Sequence, residues 1–258
     1  MGKFISVTHY KEESLYWIEL NRPEAYNAFS DEMMDEIKAA LTEAEGMKDV
    51  RVVIFSGKGK VFASGADIKE LNEMSPIEAL FPRMQSLYDF IYQFPKPTVA
   101  AIDGYALGGG MELAAACDLR IATGRSKFGL PECKLGVIPG AGGTHRLVKL
   151  IGEAKVKELV FLGDMIDGAE AEKIGFINFV VAETELKERV VDIAKKITEK
   201  APIALRFAKQ CIQRQADIPQ EVGMLLENLS QAYLFSTKDK TEGVSAFIEK
   251  RKPLFSGE

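Results

Sequence analysis

The stretch DGYALGGGMELAAACD, residues Asp103–Asp118, decides how the chain is organised. A buried-strand pattern at Thr98–Ile102 leads into it, and an alanine-rich helix pattern follows the consecutive glycines Gly108–Gly110. Glycine lets a ligand approach the backbone closely, and a helix start offers unpaired N–H groups with a partial positive charge. The stretch therefore predicts a backbone site for a negative, or developing negative, charge beside the carboxylate of Glu112.

The composition predicts a globular protein without a nucleic-acid or membrane partner. The chain has 258 residues, 47% of them hydrophobic, and a formal net charge of -5. A sizeable core is therefore possible, and the acidic balance argues against a nucleic-acid surface. No run resembles a signal peptide or is long and apolar enough to span a membrane. Cys117, Cys133 and Cys211 lack metal-ligand spacing, which favours a reducing compartment, and we expect the cytoplasm.

Strand and helix patterns alternate through the first part of the chain. We predict strands at 4–8, 15–20, 51–56, 98–102, 119–122 and 177–181, and helices at 30–46, 68–73, 76–94, 143–151, 153–162 and 169–174. The capping box Ser75–Glu78 is taken as the start of the helix at 76–94. Residues 127–132 are predicted to be irregular. Alternation of this kind indicates an α/β fold with a largely parallel sheet and crossover helices.

The pattern changes after Thr184, where no further strand run is found. Helix patterns fill the remainder, at 185–199, 202–215, 219–235 and 239–249. We therefore predict a first domain at 1–199 and a helical region at 200–258.

Two small-residue bends each follow a strand and open a helix. Around Ala66 and around Gly109 the backbone N–H groups are free at helix starts, and two convergent N–H donors are what an oxyanion hole needs. Neither bend has a nucleotide-binding fingerprint. Gly57-Lys58-Gly59 lacks a third glycine, and no Gly-Lys-Ser or Gly-Lys-Thr follows any bend.

Two glutamates are candidates for acid–base chemistry. Glu112 has apolar neighbours, so it is either a helix-start charge or a tuned acid or base, and the residues alone leave both open. Glu132 follows Pro131, where a first-turn charge is at least as good an interpretation. The histidines, His9 and His145, indicate neither a metal site nor a triad, because a triad is recognised by geometry.

Taken in order, the motifs resemble those of the crotonase superfamily, and within it the enoyl-CoA hydratases. The similarity covers essentially the whole chain: LNRP at 20–23 with Asn27-Ala28, FASGADIK at 62–69, DGYALGGGMEL at 103–113, PE at 131–132, LG at 135–136, PGAGGT at 139–144 and AFIEKRKP at 246–253. Ser64 replaces a frequent alanine and His145 a frequent glutamine. Ser64 would contact a ligand through its backbone, so this difference in side chain hardly affects the assignment. The difference at His145 is neutral.

The resemblance implies a crotonase-like spiral of ββα units with a helical C-terminal region, and trimers that pair into a homohexamer. It implies that the Ala66 and Gly109 N–H groups hold a thioester oxygen. Glu112 and Glu132, 132 − 112 = 20 residues apart, match the glutamate pair of the hydratases. By this resemblance Glu132 handles the C2 proton and Glu112 activates water.

The implied reaction is the hydration of a 2-trans-enoyl-CoA in β-oxidation or related catabolism. Its partner is an acyl-CoA thioester, with coenzyme A as part of the substrate and no metal or redox cofactor. The implied substrate-binding residues are Ser64, Asp67, Ile68, Lys69 and Gly140, and the predicted acyl pocket contains Met74, Leu80, Phe81 and Met84. Lys69 is also consistent with a solvated helix lysine. Two alternatives stay open, a Δ3-Δ2 enoyl-CoA isomerase and a non-catalytic acyl-CoA- or RNA-binding protein.

Overall fold

The computed structural model describes residues 2–258, which form ten strands and eleven α-helices. The strands are β1 (Ile5–Tyr10), β2 (Leu15–Leu20), β3 (Val52–Gly57), β4 (Val61–Ala63), β5 (Thr98–Ile102), β6 (Tyr105–Leu107), β7 (Leu119–Thr123), β8 (Lys127–Gly129), β9 (Ile166–Asp167) and β10 (Phe179–Val181). The helices are α1 (Asp31–Gly46), α2 (Ile68–Glu73), α3 (Arg83–Tyr92), α4 (Gly109–Ala116), α5 (Gly143–Ile151), α6 (Glu153–Leu162), α7 (Gly168–Lys173), α8 (Leu186–Thr198), α9 (Pro202–Arg214), α10 (Gln220–Phe235) and α11 (Lys238–Ile248).

The strands make two sheets that the chain visits in turn. The larger sheet has the order β1-β2-β3-β5-β7-β10 and is parallel except for the β1–β2 hairpin. The smaller sheet has the order β4-β6-β8-β9, with β9 antiparallel to β8. Each successive pair, β3–β4, β5–β6 and β7–β8, gives one strand to each sheet before the next helix. This repeated path is a spiral of ββα units, so the predicted α/β fold is confirmed.

Side-chain alternation along the central strands divides the core between two faces of the larger sheet. Val53, Phe55 and Ala100 belong to the main core cluster, while Val52 and Ile54 pack with buried residues of α8 on the other face. The two-residue repeat of a strand produces this division. All eight residues of α4 are buried, as expected for a helix that is apolar on every side. The glycine turn before α4 therefore starts from the interior of the protein.

The predicted continuous helix at 76–94 is wrong. Ser75 and Glu78 do form the capping box, with mutual hydrogen bonds of 2.7 and 3.2 Å. It closes only a 3-10 turn at Glu78–Leu80, and α3 begins at Arg83. Pro82 separates them, because proline has no N–H and its ring clashes with the carbonyl four residues earlier in a helix.

The prediction of an irregular stretch at 127–132 is also wrong in part. Lys127–Gly129 form β8, which pairs in parallel with β6. A three-residue strand carries almost no alternation signal, so its pairing partner decides its conformation rather than its own pattern.

The chain after β10 forms helices and no strand within the described residues. Helix α9 is joined to the sheet by Lys209, whose Nζ lies 2.8 Å from Asp118 Oδ2 and whose side chain is only 9% exposed. Many apolar side chains of these last helices are nevertheless exposed, among them Ile212, Met224, Leu225, Leu229, Tyr233, Phe235, Phe247 and Ile248. Within residues 2–258, no helix combines the length and apolarity needed to cross a membrane.

Candidate active site

The two predicted glycine bends meet at the N-terminus of α4. A methyl group built on Gly65, whose φ is +103°, would lie 3.2 Å from Gly109 N, so the two segments touch backbone to backbone. On the first bend, Phe29 N donates to Gly65 O at 2.8 Å and Asp67 N donates to Phe29 O at 3.0 Å, which leaves the N–H of Ala66 between them. Neither Ala66 N nor Gly109 N donates a hydrogen bond to another described residue. Two free N–H donors thus lie on adjoining backbone segments.

Glu112 is held by a third glycine bend, far along the chain. Its Oε1 accepts hydrogen bonds from Ala141 N at 2.8 Å and from Gly143 N at 2.7 Å, and only 2% of the residue is exposed. Gly143 is the first residue of α5, so the carboxylate also lies at the positive end of that helix. Burial raises the pKa of Glu112, and the two amide hydrogen bonds and Arg146 oppose this only in part. Glu112 is therefore not a solvated helix-start charge.

Glu132 has the opposite surroundings. Both of its carboxylate oxygens are buried, and neither has a hydrogen-bond partner among residues 2–258. Burial, followed by the charge of Glu112, raises the pKa of Glu132 to about 7, and only the dipole of the residue's own backbone N–H opposes them. Its Oε1 would lie 2.9 Å from a methyl group on Gly108. The carboxyl group thus rests against the glycine turn that precedes the Gly109 N–H.

This arrangement is suited to moving protons beside a developing negative charge. One carboxylate is held by two N–H donors through a single oxygen, and the other has no donor at all. Different surroundings push the pKa values of two carboxyl groups apart, so that one can act as base while the other acts as acid. The free N–H donors of Ala66 and Gly109 can stabilise an oxyanion.

The side chain of Asp67 is used by the structure itself. Its Oδ1 accepts a hydrogen bond of 2.9 Å from Lys69 N and caps α2, while its Oδ2 lies 2.6 Å from Arg22 Nη1. Burial alone would raise the pKa of Asp67, but the hydrogen bonds from Arg22 and from the amides at the start of α2 bring it below its ordinary value. Only the backbone of Asp67 is left for contact with a ligand.

The other predicted substrate-binding residues lie around the rim. Ser64 N donates to Tyr26 O at 3.1 Å. Ile68 and Lys69 are exposed at the start of α2, and Lys69 has no ion pair within residues 2–258. Gly140 is exposed and immediately precedes Ala141, whose N–H holds Glu112.

The predicted acyl-pocket residues are divided by the break at Pro82. Leu80 and Phe81 are largely exposed, and Met74 is partly so. Met84, on α3, reaches the centre: its Sδ would lie 2.7 Å from a methyl group on Gly109. The structure thus brings Met84 to the site and leaves the preceding segment at its edge.

Sequence reasoning missed two buried polar side chains near Glu112. The Tyr88 hydroxyl is buried without a partner among the described residues, and Arg146 is almost fully buried. Tyr88 could be found as an apolar-face position of a predicted helix, but its closeness to Glu112 has no sequence signal. The only signal for Arg146 is a charge close to the glycine bend 139–143.

The sequence matches a known protein family over nearly its whole length. The family model for enoyl-CoA hydratase/isomerase matches residues 10–258. The chain belongs to the enoyl-CoA hydratase/isomerase family. The resemblance to the crotonase superfamily is thereby confirmed. The chain is 42% identical to the mouse (Mus musculus) enoyl-CoA hydratase domain-containing protein 2, mitochondrial, across 92% of this chain and 83% of that protein.

Solved structures of the enoyl-CoA hydratase/isomerase family show the same fold. A crystal structure of an enoyl-CoA hydratase from Bacillus anthracis superposes with a TM-score of 0.93 at 38% identity, covering 99% of this chain and 100% of that one. Subunit I of an enoyl-CoA hydratase from Geobacillus kaustophilus gives 0.94 at 40% identity, covering 100% and 99%. The crotonase fold expected from the motifs is therefore confirmed.

Proposed function

We propose that this member of the crotonase superfamily catalyses the reversible syn addition of water to a 2-trans-enoyl-CoA, which gives a 3-hydroxyacyl-CoA. The observation that carries the proposal is the pair Glu112 and Glu132. The Glu132 carboxyl group lies against Gly108 and the Glu112 carboxyl group against the 141–143 turn, and only Glu112 is held by N–H donors. Hydration needs one group that accepts a proton and another that supplies one, and this asymmetry suits that division. Fatty-acid β-oxidation, or related acyl-CoA breakdown, is the proposed setting.

The thioester oxygen is proposed to bind between Ala66 N–H and Gly109 N–H. Attack of water at C3 moves negative charge onto this oxygen as an enolate forms. Two preorganised donors stabilise that charge, and loss of one donor typically costs about 10²–10³ in rate. The Gly109 donor has additional strength because it opens α4.

The two glutamates are proposed to divide the two proton transfers of hydration between them. Glu112 Oε1 is occupied by two amides, so Oε2 is the oxygen that takes the proton from water. The backbone of Gly140, next to that amide pair, helps to place the water. Glu132 in its protonated form supplies the proton to C2, which its pKa of about 7 allows near neutral pH. In the reverse direction Glu132 accepts that proton and Glu112 returns one to the leaving hydroxide.

Coenzyme A is proposed to bind along the first bend. Backbone groups of Ser64 to Ile68 hold the adenine, and Lys69, exposed and without an ion pair among the described residues, meets the nucleotide phosphates. No redox cofactor is required, because the addition of water transfers no electrons, and the Ala66 and Gly109 N–H groups are proposed to stabilise the oxyanion in place of a metal. Coenzyme A enters and leaves as part of the substrate.

The functional unit is proposed to be a homohexamer built as a dimer of trimers. The exposed apolar side chains of α9, α10 and α11 support this, since large exposed apolar patches are typical of subunit interfaces. Size-exclusion chromatography with multi-angle light scattering that finds only monomers at micromolar concentration would overturn this. We further propose a cytoplasmic location, for which three cysteines without disulfides give support, and no nucleic-acid or membrane partner.

A second candidate activity is Δ3-Δ2 enoyl-CoA isomerisation. The unpartnered carboxyl group of Glu132 favours it, because one group that both accepts and returns a proton is sufficient. A third possibility is an acyl-CoA- or RNA-binding protein without catalysis, against which the presence of both glutamates counts.

A product assay separates these activities. We expect the purified protein to remove the enoyl-thioester absorbance of crotonyl-CoA and to form 3-hydroxybutyryl-CoA. Unchanged crotonyl-CoA together with conversion of 3-hexenoyl-CoA to 2-hexenoyl-CoA would replace hydration by isomerisation. No turnover of either substrate, with a salt-dependent shift of RNA near physiological ionic strength, would support the binding protein instead.

A further inference from the structure

Arg146 is a buried cation on the first turn of α5, adjacent to the glycine bend. Only 6% of its side chain is exposed. Its Nη1 donates to Ala141 O at 2.8 Å, and its Nη2 donates to Asp89 Oδ1 on α3. The guanidinium also lies over the Tyr92 ring, 5.2 Å from the centroid. A buried arginine with two separate hydrogen-bond partners is held in one orientation.

The backbone that Arg146 holds is the backbone that holds Glu112. The carbonyl of Ala141 accepts from Arg146, while the N–H of the same residue donates to Glu112 Oε1 at 2.8 Å. The intervening Gly142 has a φ of +99°, and a methyl group there would lie 2.0 Å from Arg146 Nη1. The glycine therefore lets the guanidinium lie directly against the turn, one residue before the Gly143 N–H.

Helix α3 completes the connection through Asp89. The same helix carries Met84, which packs against Gly109, and Tyr88, whose hydroxyl lies near Glu112. Arg146 thus joins α3 to the bend 141–143 with one side chain. It has no contact with the N–H groups of Ala66 and Gly109, so its effect on the reaction is indirect.

We propose that Arg146 is a positioning residue for Glu112: its guanidinium, oriented by Asp89, fixes the 141–143 turn whose N–H groups hold the Glu112 carboxylate. This inference rests on the proposed hydratase role of Glu112. Without Arg146 the turn loses its anchor, and Glu112 loses both its geometry and the nearest positive side chain. The other titratable groups that face Glu112 are Tyr88 on α3 and Glu132.

The test is the pH dependence of kcat and KM for crotonyl-CoA hydration in three variants. Arg146→Met removes the charge and both hydrogen bonds, Arg146→Lys keeps the charge without the two-armed geometry, and Lys149→Met is the matched control. Lys149 lies on the same helix and makes an ion pair with Asp217 instead. Circular dichroism and size-exclusion chromatography establish which variants fold.

We expect Arg146→Met to lower kcat up to about 100-fold, with KM changed less than about threefold. Because the Arg146 charge lowers the pKa of Glu112, its removal moves the acidic limb of the kcat profile to higher pH. Arg146→Lys lowers kcat without moving this limb, and Lys149→Met changes neither.

Two results would overturn the inference while leaving the proposed function intact. The first is an acidic limb of the kcat profile that lies at the same pH in Arg146→Met and in the wild-type enzyme. The second is a kcat of Arg146→Lys equal to that of Lys149→Met. This second result decides the question if Arg146→Met does not fold. A wild-type enzyme that does not hydrate crotonyl-CoA is a different result, since it rejects the proposed function itself.

Discussion

The carboxylate of Glu132 lies directly against the backbone of Gly108. A methyl group at Gly108 would stand 2.9 Å from Glu132 Oε1, and Gly108 has φ +52° and ψ −125°. This is a backbone conformation that essentially only glycine adopts without strain. Gly108 therefore has two separate roles, because it makes the turn into α4 and it leaves room for an acid–base group.

Gly108→Ala tests this contact. Strain at the turn is expected to cost about 1–3 kcal/mol of stability. Displacement of Glu132 is expected to lower kcat for hydration by about 100-fold. Gly136→Ala is the matched control, since Gly136 also has a positive φ (+77°) but nothing lies within 4 Å of the added methyl group. Equal kcat values in the two variants, measured with crotonyl-CoA, would show that the Glu132–Gly108 contact has no catalytic importance.

The sequence predicts the elements well where they are long and periodic. Helices α5 and α6 begin and end where their apolar spacing indicates, at 143–151 and 153–162. Three-residue strands such as β8 are not predictable in this way, because their conformation depends on pairing with a distant segment. The helix predicted at 76–94 runs from the capping box through Pro82, and that proline is where the structure ends it.

The chemistry of the candidate site is less accessible from the sequence than the fold. The bends at Ala66 and Gly109 are recognisable as turns that open helices. The state of Glu112 is not, because its donors, Ala141 N and Gly143 N, lie 29 and 31 residues away in the chain. The burial that raises the pKa of Glu132 likewise comes from tertiary packing.

Glu132→Gln should stabilise the protein at alkaline pH. The pKa of Glu132 rises from 4.5 to about 7 on folding. Below pH 4.5 both states hold the proton and there is no penalty. As the pH rises from 4.5 to 7, the unfolded state loses the proton more readily, so stability falls.

The neutral glutamine avoids this penalty. After allowance for partial solvent screening, we expect a gain of about 1–3 kcal/mol at pH 8 and little gain at pH 5, read as thermal midpoints at the two pH values. Glu24→Gln, at an exposed position, is the control. A gain independent of pH would argue against a raised Glu132 pKa.

The rate of hydration should fall above neutral pH. Glu132 must be protonated to supply the C2 proton, and its pKa is about 7 in the free enzyme. The kcat/KM for hydration should therefore decline above about pH 7, since this parameter reports the free enzyme. The kcat/KM for dehydration of 3-hydroxybutyryl-CoA should fall in parallel, because both directions need one proton on the glutamate pair and the equilibrium constant that relates them does not depend on pH. A kcat/KM for hydration that does not fall above about pH 7 would contradict the assignment of this proton to Glu132.

Lys69→Met should weaken the binding of the nucleotide end of coenzyme A. An exposed charge pair contributes little, so we expect KM for crotonyl-CoA to rise about 3- to 10-fold with kcat unchanged. The effect should shrink at high salt, and it should be absent with crotonyl-pantetheine, which lacks the nucleotide. Lys38→Met, an exposed lysine on α1, makes the same charge change elsewhere. An equal KM effect in both lysine variants would assign it to net charge alone.

Glu112→Gln and Glu132→Gln should separate the two proton transfers. Each should lower hydration by about 10²–10⁴, while binding of a saturated acyl-CoA, measured by calorimetry, is retained. Exchange of the C2 protons of butyryl-CoA with deuterated water requires only the base at C2 and the N–H groups of Ala66 and Gly109.

Glu112→Gln should therefore keep this exchange, and Glu132→Gln should lose it. The charge of Glu112 raises the pKa of Glu132. Its removal in Glu112→Gln should therefore lower that pKa and move the pH profile of C2-proton exchange to lower pH. Because water addition needs both groups at once, the double variant should be scarcely slower in hydration than the worse single variant. Exchange that survives Glu132→Gln but not Glu112→Gln would reverse the two roles, and exchange that survives in both would place the C2 base elsewhere.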